Sequence, residues 1–201
     1  MKLTAATDLW RAFHGPSDIR ARWRRAFRAA FLLCAPFFLV YAMFRLFGIR
    51  INITSSLERG FYVVSQRPSA SLVEFCPEGE AASLSLQRVY RMPGGTCPDG
   101  GLPLMKPVVA VAGDRVEVTS NGIRVNGKLI ANSTAYSKDH RGRSLKPWPN
   151  GEYIVQTGSL WVVSDFNSWS FDSRYFGPIP SSIVQHRLRP LWTFHTKVPE
   201  P

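Results

Sequence analysis

Histidine, cysteine and carboxylate are scarce in this chain: four His, three Cys and fourteen Asp plus Glu among 201 residues. Each scarcity closes off a chemistry. His14, His140, His186 and His195 are scattered, and none precedes an acid in a recognisable triad order. A Ser-His-Asp hydrolase would therefore need tertiary contacts the sequence does not display. Cys34 sits inside an apolar run, and no histidine accompanies Cys76 and Cys97, which argues against a zinc site. Gly94-Gly95 and Gly100-Gly101 lack a following helix and lysine-serine pair, so they are not phosphate-binding loops. No internal repeat or low-complexity segment is evident. No metal and no cofactor are expected.

The shortage of acids leaves a net charge of +11, unevenly spread. Residues 1–49 carry eight Lys/Arg against two acids, and residues 50–201 carry seventeen against twelve. The densest cluster is Arg20, Arg22, Arg24, Arg25 and Arg28. Such a cluster fits nucleic acid. Beside an apolar run it marks instead the cytoplasmic flank of a membrane segment, because positive flanks stay inside. No nucleic-acid partner is expected.

The apolar run starts at Ala29, contains Pro36 and continues through Arg45 to Ile49. Its 21 residues suffice to span ~30 Å of hydrocarbon. A cleaved signal peptide is the rival reading, with Val40-Tyr41-Ala42 as a loose cleavage site, but the preceding basic region is long for one. The expected organisation is a basic cytoplasmic arm (1–28), a transmembrane anchor (29–49) and an extracytoplasmic domain (50–201). Trp10, Phe13, Trp23 and Phe27 alternate with arginines and suit the arm to anionic lipid.

Past the anchor, fifteen Pro and fifteen Gly in the whole chain favour short strands and many turns. Strands are expected at Phe61–Ser65, Leu84–Tyr90, Leu104–Val111, Arg115–Thr119, Ile123–Asn126, Lys128–Ile130, Tyr153–Gln156, Leu160–Ser164 and Ile183–Trp192. Asn121-Gly122 and Asn126-Gly127 are hairpin-turn signals. Residues 133–151 are a polar excursion of unassigned use. This pattern predicts a mainly β domain, a barrel or folded ribbon. Cys76 and Cys97 have one possible pairing. They either bridge or stay two buried thiols. A proline after each places both in loops and favours the bridge.

Lys106 is the residue with the most chemical promise. It lies in Leu104-Met105-Lys106-Pro107-Val108-Val109-Ala110-Val111. Alternation puts Leu104, Lys106, Val108 and Ala110 on one face and Met105, Pro107, Val109 and Val111 on the other. Both faces are apolar, so the lysine is expected to be buried. Burial lowers a lysine pKa, and the neutral amine is then a general base. A nucleophile is available in Asn52-Ile53-Thr54-Ser55-Ser56, although by itself that run reads as a turn or cap. Ser56 is seven residues past Ile49, within roughly 25 Å of the bilayer even on an extended chain.

Three stretches together resemble a known family. Lys106 through Gly113-Asp114 is similar to the lysine box of type I signal peptidases. Ser164-Asp165 followed by Ser170-Phe171-Asp172-Ser173-Arg174-Tyr175-Phe176-Gly177 resembles that family's late box. Asn52-x-Thr54-x-Ser56-x-x-x-Gly60-x-Tyr62 resembles the serine box of one branch, the TraF-like peptidases of conjugative transfer. Leu191-Trp192-Thr193-Phe194 and the Cys-Pro pairs at 76 and 97 fit the same branch. The resemblance covers roughly residues 50–194, with the boxes in family order. Glu58 stands where that branch often has proline.

The resemblance implies a signal-peptidase-like β fold and a serine endopeptidase of the bacterial inner membrane, with its catalytic domain in the periplasm. Ser56 is then the nucleophile and Lys106 the general base. Ser170 orients the lysine amine. The Ser56 N–H and the Thr54 hydroxyl form the oxyanion hole. Asp172 and Arg174 are expected to form a structural salt bridge, and Asp165 has no assigned role. The implied partners are a membrane-bound pilin precursor or preprotein, inner-membrane lipid and other proteins of the conjugation apparatus. Whether such an enzyme hydrolyses or cyclises its product is not written in these motifs. A general secretory signal peptidase and a non-catalytic bitopic scaffold of a secretion assembly are the alternatives.

Overall fold

A computed structural model describes residues 16–68 and 71–194. Trp10, Phe13, His14 and His195, and most of the expected arm, lie outside them. The chain divides into two units, Met1–Phe47 and Gly48–Pro201.

The described part of the first unit is one helix, α1 (Pro16–Leu46), 31 residues long. At 1.5 Å per residue that is about 46 Å. Residues Ile19–Leu46 have a mean hydropathy of 1.9 over their most apolar window, and none of that window is buried. A long helix with this much exposed apolar surface fits a single-span membrane anchor. The helix begins within the stretch expected to be the basic arm. It ends at Leu46, and Ile49 pairs with Val63 in a sheet.

The second unit is mainly β. Its elements are β1 (Ile49–Asn52), β2 (Arg59–Val64), β3 (Leu72–Phe75), α2 (Gly79–Gln87), β4 (Leu104–Ala110), β5 (Arg115–Thr119), β6 (Gly122–Val125), β7 (Lys128–Leu129), β8 (Gly151–Ile154), β9 (Ser159–Val162), α3 (Ser173–Phe176), β10 (Ile179–Pro180) and β11 (Val184–Phe194). A seven-stranded sheet runs β1-β2-β11-β3-β4-β9-β10, and a four-stranded sheet runs β7-β6-β5-β8. All pairings are antiparallel.

Strand β9 divides two cores. Leu160 and Val162 pack with Val73, Phe75, Leu104 and Ile179, while Trp161 and Val163 pack with Val116, Val118, Ile123 and Val155. A bulge in β4 between Val108 and Ala110 adds a residue against β9. The extra residue reverses the alternation. Ala110 therefore joins the second core instead of sharing the face of Leu104 and Lys106, a correction to the strict alternation read from sequence.

The expected strand at Leu84–Tyr90 is also corrected. Residues 79–87 are helix α2. Leu84 and Leu86 mimic strand alternation, but Ala81, Ala82, Leu84 and Leu86 are all strong helix formers. The buried Arg91 fixes the helix end, donating to Ser85 Oγ at 2.7 Å and to the Ala82 carbonyl at 3.2 Å, with Asp99 as its counterion. β3 was not anticipated. Its buried Glu74 disguises it, being paired with Arg50 at 3.0 Å and His186 at 2.9 Å.

Cys76 and Cys97 form a disulfide, Cα–Cα 5.5 Å, which ties the end of β3 to the loop ahead of β4. It closes 21 residues of chain. In the chain-entropy model that stabilises by about 3 kcal/mol. Reduction, or Cys76→Ser with Cys97→Ser, should lower the denaturation free energy by about that much. Urea unfolding with and without reductant measures it. An unchanged midpoint would show that the bridge does not form.

Candidate active site

Ser56 sits in the turn between β1 and β2. Asn52 knots this turn. Its amide nitrogen donates to the carbonyls of Thr54, Leu57 and Glu58, and its Oδ1 accepts from the Thr54 N–H and, at 2.7 Å, from the Thr54 hydroxyl. The turn is held from a second side by Ser164, whose hydroxyl donates to the Ser56 carbonyl at 2.6 Å. Asn167 donates to Ser55 Oγ at 3.0 Å. Gly60 follows at φ 151, with the Trp192 carbonyl 2.2 Å from where a Cβ would stand, so no larger residue fits without displacing β11.

Lys106 lies in β4 between β3 and β9 and is 2% exposed. Its Nζ donates to Ser170 Oγ at 2.6 Å, and Ser170 Oγ is 3.4 Å from Ser56 Oγ. The three side chains thus form one chain of hydrogen bonds, with Ser170 in the middle. Burial pulls the Lys106 pKa down to about 8. Asp172 opposes that shift and Arg174 adds to it.

Ser170 is placed by the ion pair beneath it. Asp172 and Arg174 are fully buried and meet in a two-pronged contact, Nε–Oδ1 2.8 Å and Nη2–Oδ2 2.7 Å. Arg174 spends its other donors on the carbonyls of Asn132, Ser168 and Asn167. Asp172 also accepts from the Ser164 N–H at 3.0 Å. Burial pushes the Asp172 carboxyl up, but the Arg174 guanidinium, with Lys106 and the Ser164 N–H, holds it below its usual range. Burial lowers Arg174, and Asp172 more than restores it. One pair therefore fixes the loop bearing Ser170, the residue holding Ser56 and part of the field at Lys106.

Ser56, Lys106 and Ser170 line a cleft of about 730 Å³. β1 is an edge strand, and β9 pairs with β4 only from Val108 onward. Both the β1 edge and the Leu104–Lys106 segment border the cleft. An extended peptide can hydrogen-bond to such edges. Thr54 also lines the cleft. Asp165 is exposed, and its carbonyl accepts from Asn132 at 2.7 Å. Among the described residues, no group of three His, Cys, Asp or Glu side chains is placed to hold a metal.

The sequence that builds this site has a match at family level. Residues 20–192 match the family described as signal peptidase, peptidase S26. The chain belongs to that family, in its TraF-like branch. A plasmid transfer protein TraF of Escherichia coli is 34% identical over 149 residues, 73% of this chain and 84% of its own. A probable conjugal transfer protein TraF of Sinorhizobium fredii is 42% identical over 139 residues, 67% and 72%. The conjugal transfer protein TraF of Agrobacterium fabrum is 38% identical over 151 residues, 73% and 84%. Among solved structures, a signal peptidase I from Enterococcus faecalis matches 63% of this chain and 99% of its own at 17% identity, with a TM-score of 0.34.

Within the S26 family this chain's Glu58 has a local explanation. Its carboxylate accepts from the Thr193 hydroxyl at 2.7 Å, and its carbonyl accepts from the Tyr62 hydroxyl at 2.6 Å. These bonds brace the turn that carries Ser56. Sequence reasoning missed the holding roles of Asn52, Ser164 and Asn167. Ser164 and Asn167 come within bonding distance of the Ser55-Ser56 turn from more than 100 positions away. Residues 133–151 also gain a place. Asp139 anchors them by accepting from Tyr90 at 2.6 Å and Arg143 at 2.7 Å, Tyr136 stacks on Trp169 at 4.6 Å, and His140 lines the cleft.

Proposed function

We propose that this protein is a membrane-anchored serine endopeptidase that processes the precursor of a conjugative pilus subunit through a Ser56–Lys106 acyl-enzyme mechanism. The observation that carries the reading is the buried Lys106 amine, 2.6 Å from Ser170 and linked through it to Ser56. The relatives' names supply the conjugative setting.

Neutral Lys106 takes the Ser56 proton as Oγ attacks the scissile carbonyl. Ser170 accepts a lysine N–H, which turns the amine lone pair toward Ser56. The tetrahedral oxyanion receives the Ser56 N–H and the Thr54 hydroxyl. That hydroxyl first leaves Asn52 Oδ1, which it holds in the free protein. Protonated Lys106 then gives its proton to the leaving amine. Water resolves the acyl-enzyme, or the product's own amino terminus does so and closes a ring.

The chain is read as a basic arm at 1–28, an anchor at 29–49 and a catalytic domain at 50–201. The cationic flank of α1 supports a cytoplasmic N-terminus. The disulfide supports an oxidising compartment for the catalytic domain, as the periplasm is.

Purified full-length protein should cut the pilin precursor in detergent, and the pH profile tests the base. A lysine that must be neutral, with its pKa near 8, makes kcat/KM rise about tenfold per pH unit below 8 and level off above it. A profile flat from pH 6 to 9, or one that falls with rising pH, would remove Lys106 from that role.

A further inference from the structure

Helix α2 ends in a way that is costly for its sequence. The Val89 N–H bonds the Leu86 carbonyl at 3.1 Å and the Tyr90 N–H bonds the Ser85 carbonyl at 2.8 Å. This is the Schellman termination, whose left-handed residue is usually glycine. Here it is Val89, at φ 59. A β-branched residue is strained there. The side chain is 61% exposed, so core packing does not offset the strain. Its neighbours are tied down: Arg88 donates to the Ser144 carbonyl at 2.7 Å, Tyr90 to Asp139 at 2.6 Å, and Arg91 to Asp99. Val89 faces the cleft that holds Ser56 and Lys106, and Met92 and Leu102, 51% and 42% exposed, line the same cleft. Strain of this kind collects where function demands a side chain that the backbone disfavours.

We propose that Val89 is a specificity-determining residue, forming with Met92 and Leu102 an apolar ledge that receives an apolar side chain of the substrate near the cut bond. This rests on the peptidase reading above. The occupant follows from continuity: the ledge lies in the cavity of Ser56 and Lys106, bordered by open strand edges that suit an extended peptide. A peptide lying there covers apolar groups that water otherwise surrounds. Val89 acts on binding and not on the proton transfers, because its side chain carries no group that gives or takes a proton.

The test uses full-length wild type, Val89→Gly, Val89→Asn and Ser56→Ala in detergent. The substrates are internally quenched peptides spanning the precursor's cut bond, with Ala, Leu or Asp placed at one position at a time. Glycine and asparagine accept positive φ, so both Val89 variants should melt at or above the wild-type temperature. At one position, the wild-type preference for Leu over Ala should fall about tenfold in the variants, through KM, with kcat and the pH profile unchanged. Well-folded variants that keep the wild-type Leu-to-Ala ratio at every position would overturn the proposal. A loss seen in lipid vesicles and absent in detergent would also overturn it, assigning Val89 to the membrane. A wild type that cuts no peptide, or a Ser56→Ala protein that cuts as well as wild type, would overturn the peptidase reading itself and the proposal with it.

Discussion

Ser56→Ala is expected to abolish cleavage and leave the fold intact. Removing the nucleophile of a serine hydrolase costs on the order of 10⁶ in kcat. The side chain carries little of the structure, since the hydrogen bond given to its Oγ is the 3.4 Å one from Ser170. The turn itself is held by Asn52 and Ser164. Stability should therefore move by no more than about 0.5 kcal/mol. Retained turnover would move the nucleophile elsewhere, with Ser55 the first residue to test. Lys106→Met should lose activity equally but behave differently on unfolding. A lysine held near pKa 8 instead of 10.5 is penalised when it is charged. The unfolded chain binds more protons between those two values, so wild-type stability rises with pH across that window. Below pH 8 the penalty is fully present, on the order of 3 kcal/mol. Methionine removes it, so the variant should be the more stable protein at pH 7, with its advantage fading toward pH 10.5. Denaturant titrations at pH 7 and pH 10 read both values. A base would then be present at a cost to the fold, as at many active sites.

Breaking the buried pair should be the most damaging change to the structure. Arg174→Met takes from the Asp172 carboxylate its two-pronged partner, takes from the Asn132 and Ser168 carbonyls the donor they share, and leaves the Asn167 carbonyl only the Ser170 N–H. Removing one partner of a buried pair costs about 3–5 kcal/mol, a large share of the 5–15 kcal/mol that typically holds a domain together. The effect on Lys106 has a definite sign. Arg174 lowers the lysine pKa and Asp172 raises it. Loss of Arg174 should move the ascending limb of the pH profile to higher pH, and Asp172→Asn should move it lower. Urea unfolding and the pH dependence of residual cleavage measure the two effects. Loss of stability under about 1 kcal/mol for both variants would mean that the pair is not the scaffold of the Ser170 loop.

What the sequence disclosed, and what it hid, follows contact range. Lys106 declared its burial because every neighbour in its own strand is apolar, a purely local signal. The Ser170–Gly177 run likewise carries its structural pair within three positions, Asp172 and Arg174. The bridge between Cys76 and Cys97 was readable because only one pairing existed. Helix α2 was hidden because leucines at 84 and 86 alternate like a strand, while the buried Arg91 that stabilises the helix end lies outside the pattern. β3 was hidden because a buried Glu74 looks exposed until Arg50 and His186 arrive from distances of 24 and 112 residues. The role of Ser164 at the Ser56 turn, 108 residues away, has no local signature at all.

The central claim is that Lys106 activates Ser56. The most direct measurement is intact mass after incubation with a penem that acylates Ser-Lys enzymes, on wild type, Ser56→Ala and Lys106→Met. The account predicts one adduct on wild type, mapped by peptide digestion to Ser56, and none on either variant. An adduct that persists on Ser56→Ala, or forms as fast on Lys106→Met, would contradict it.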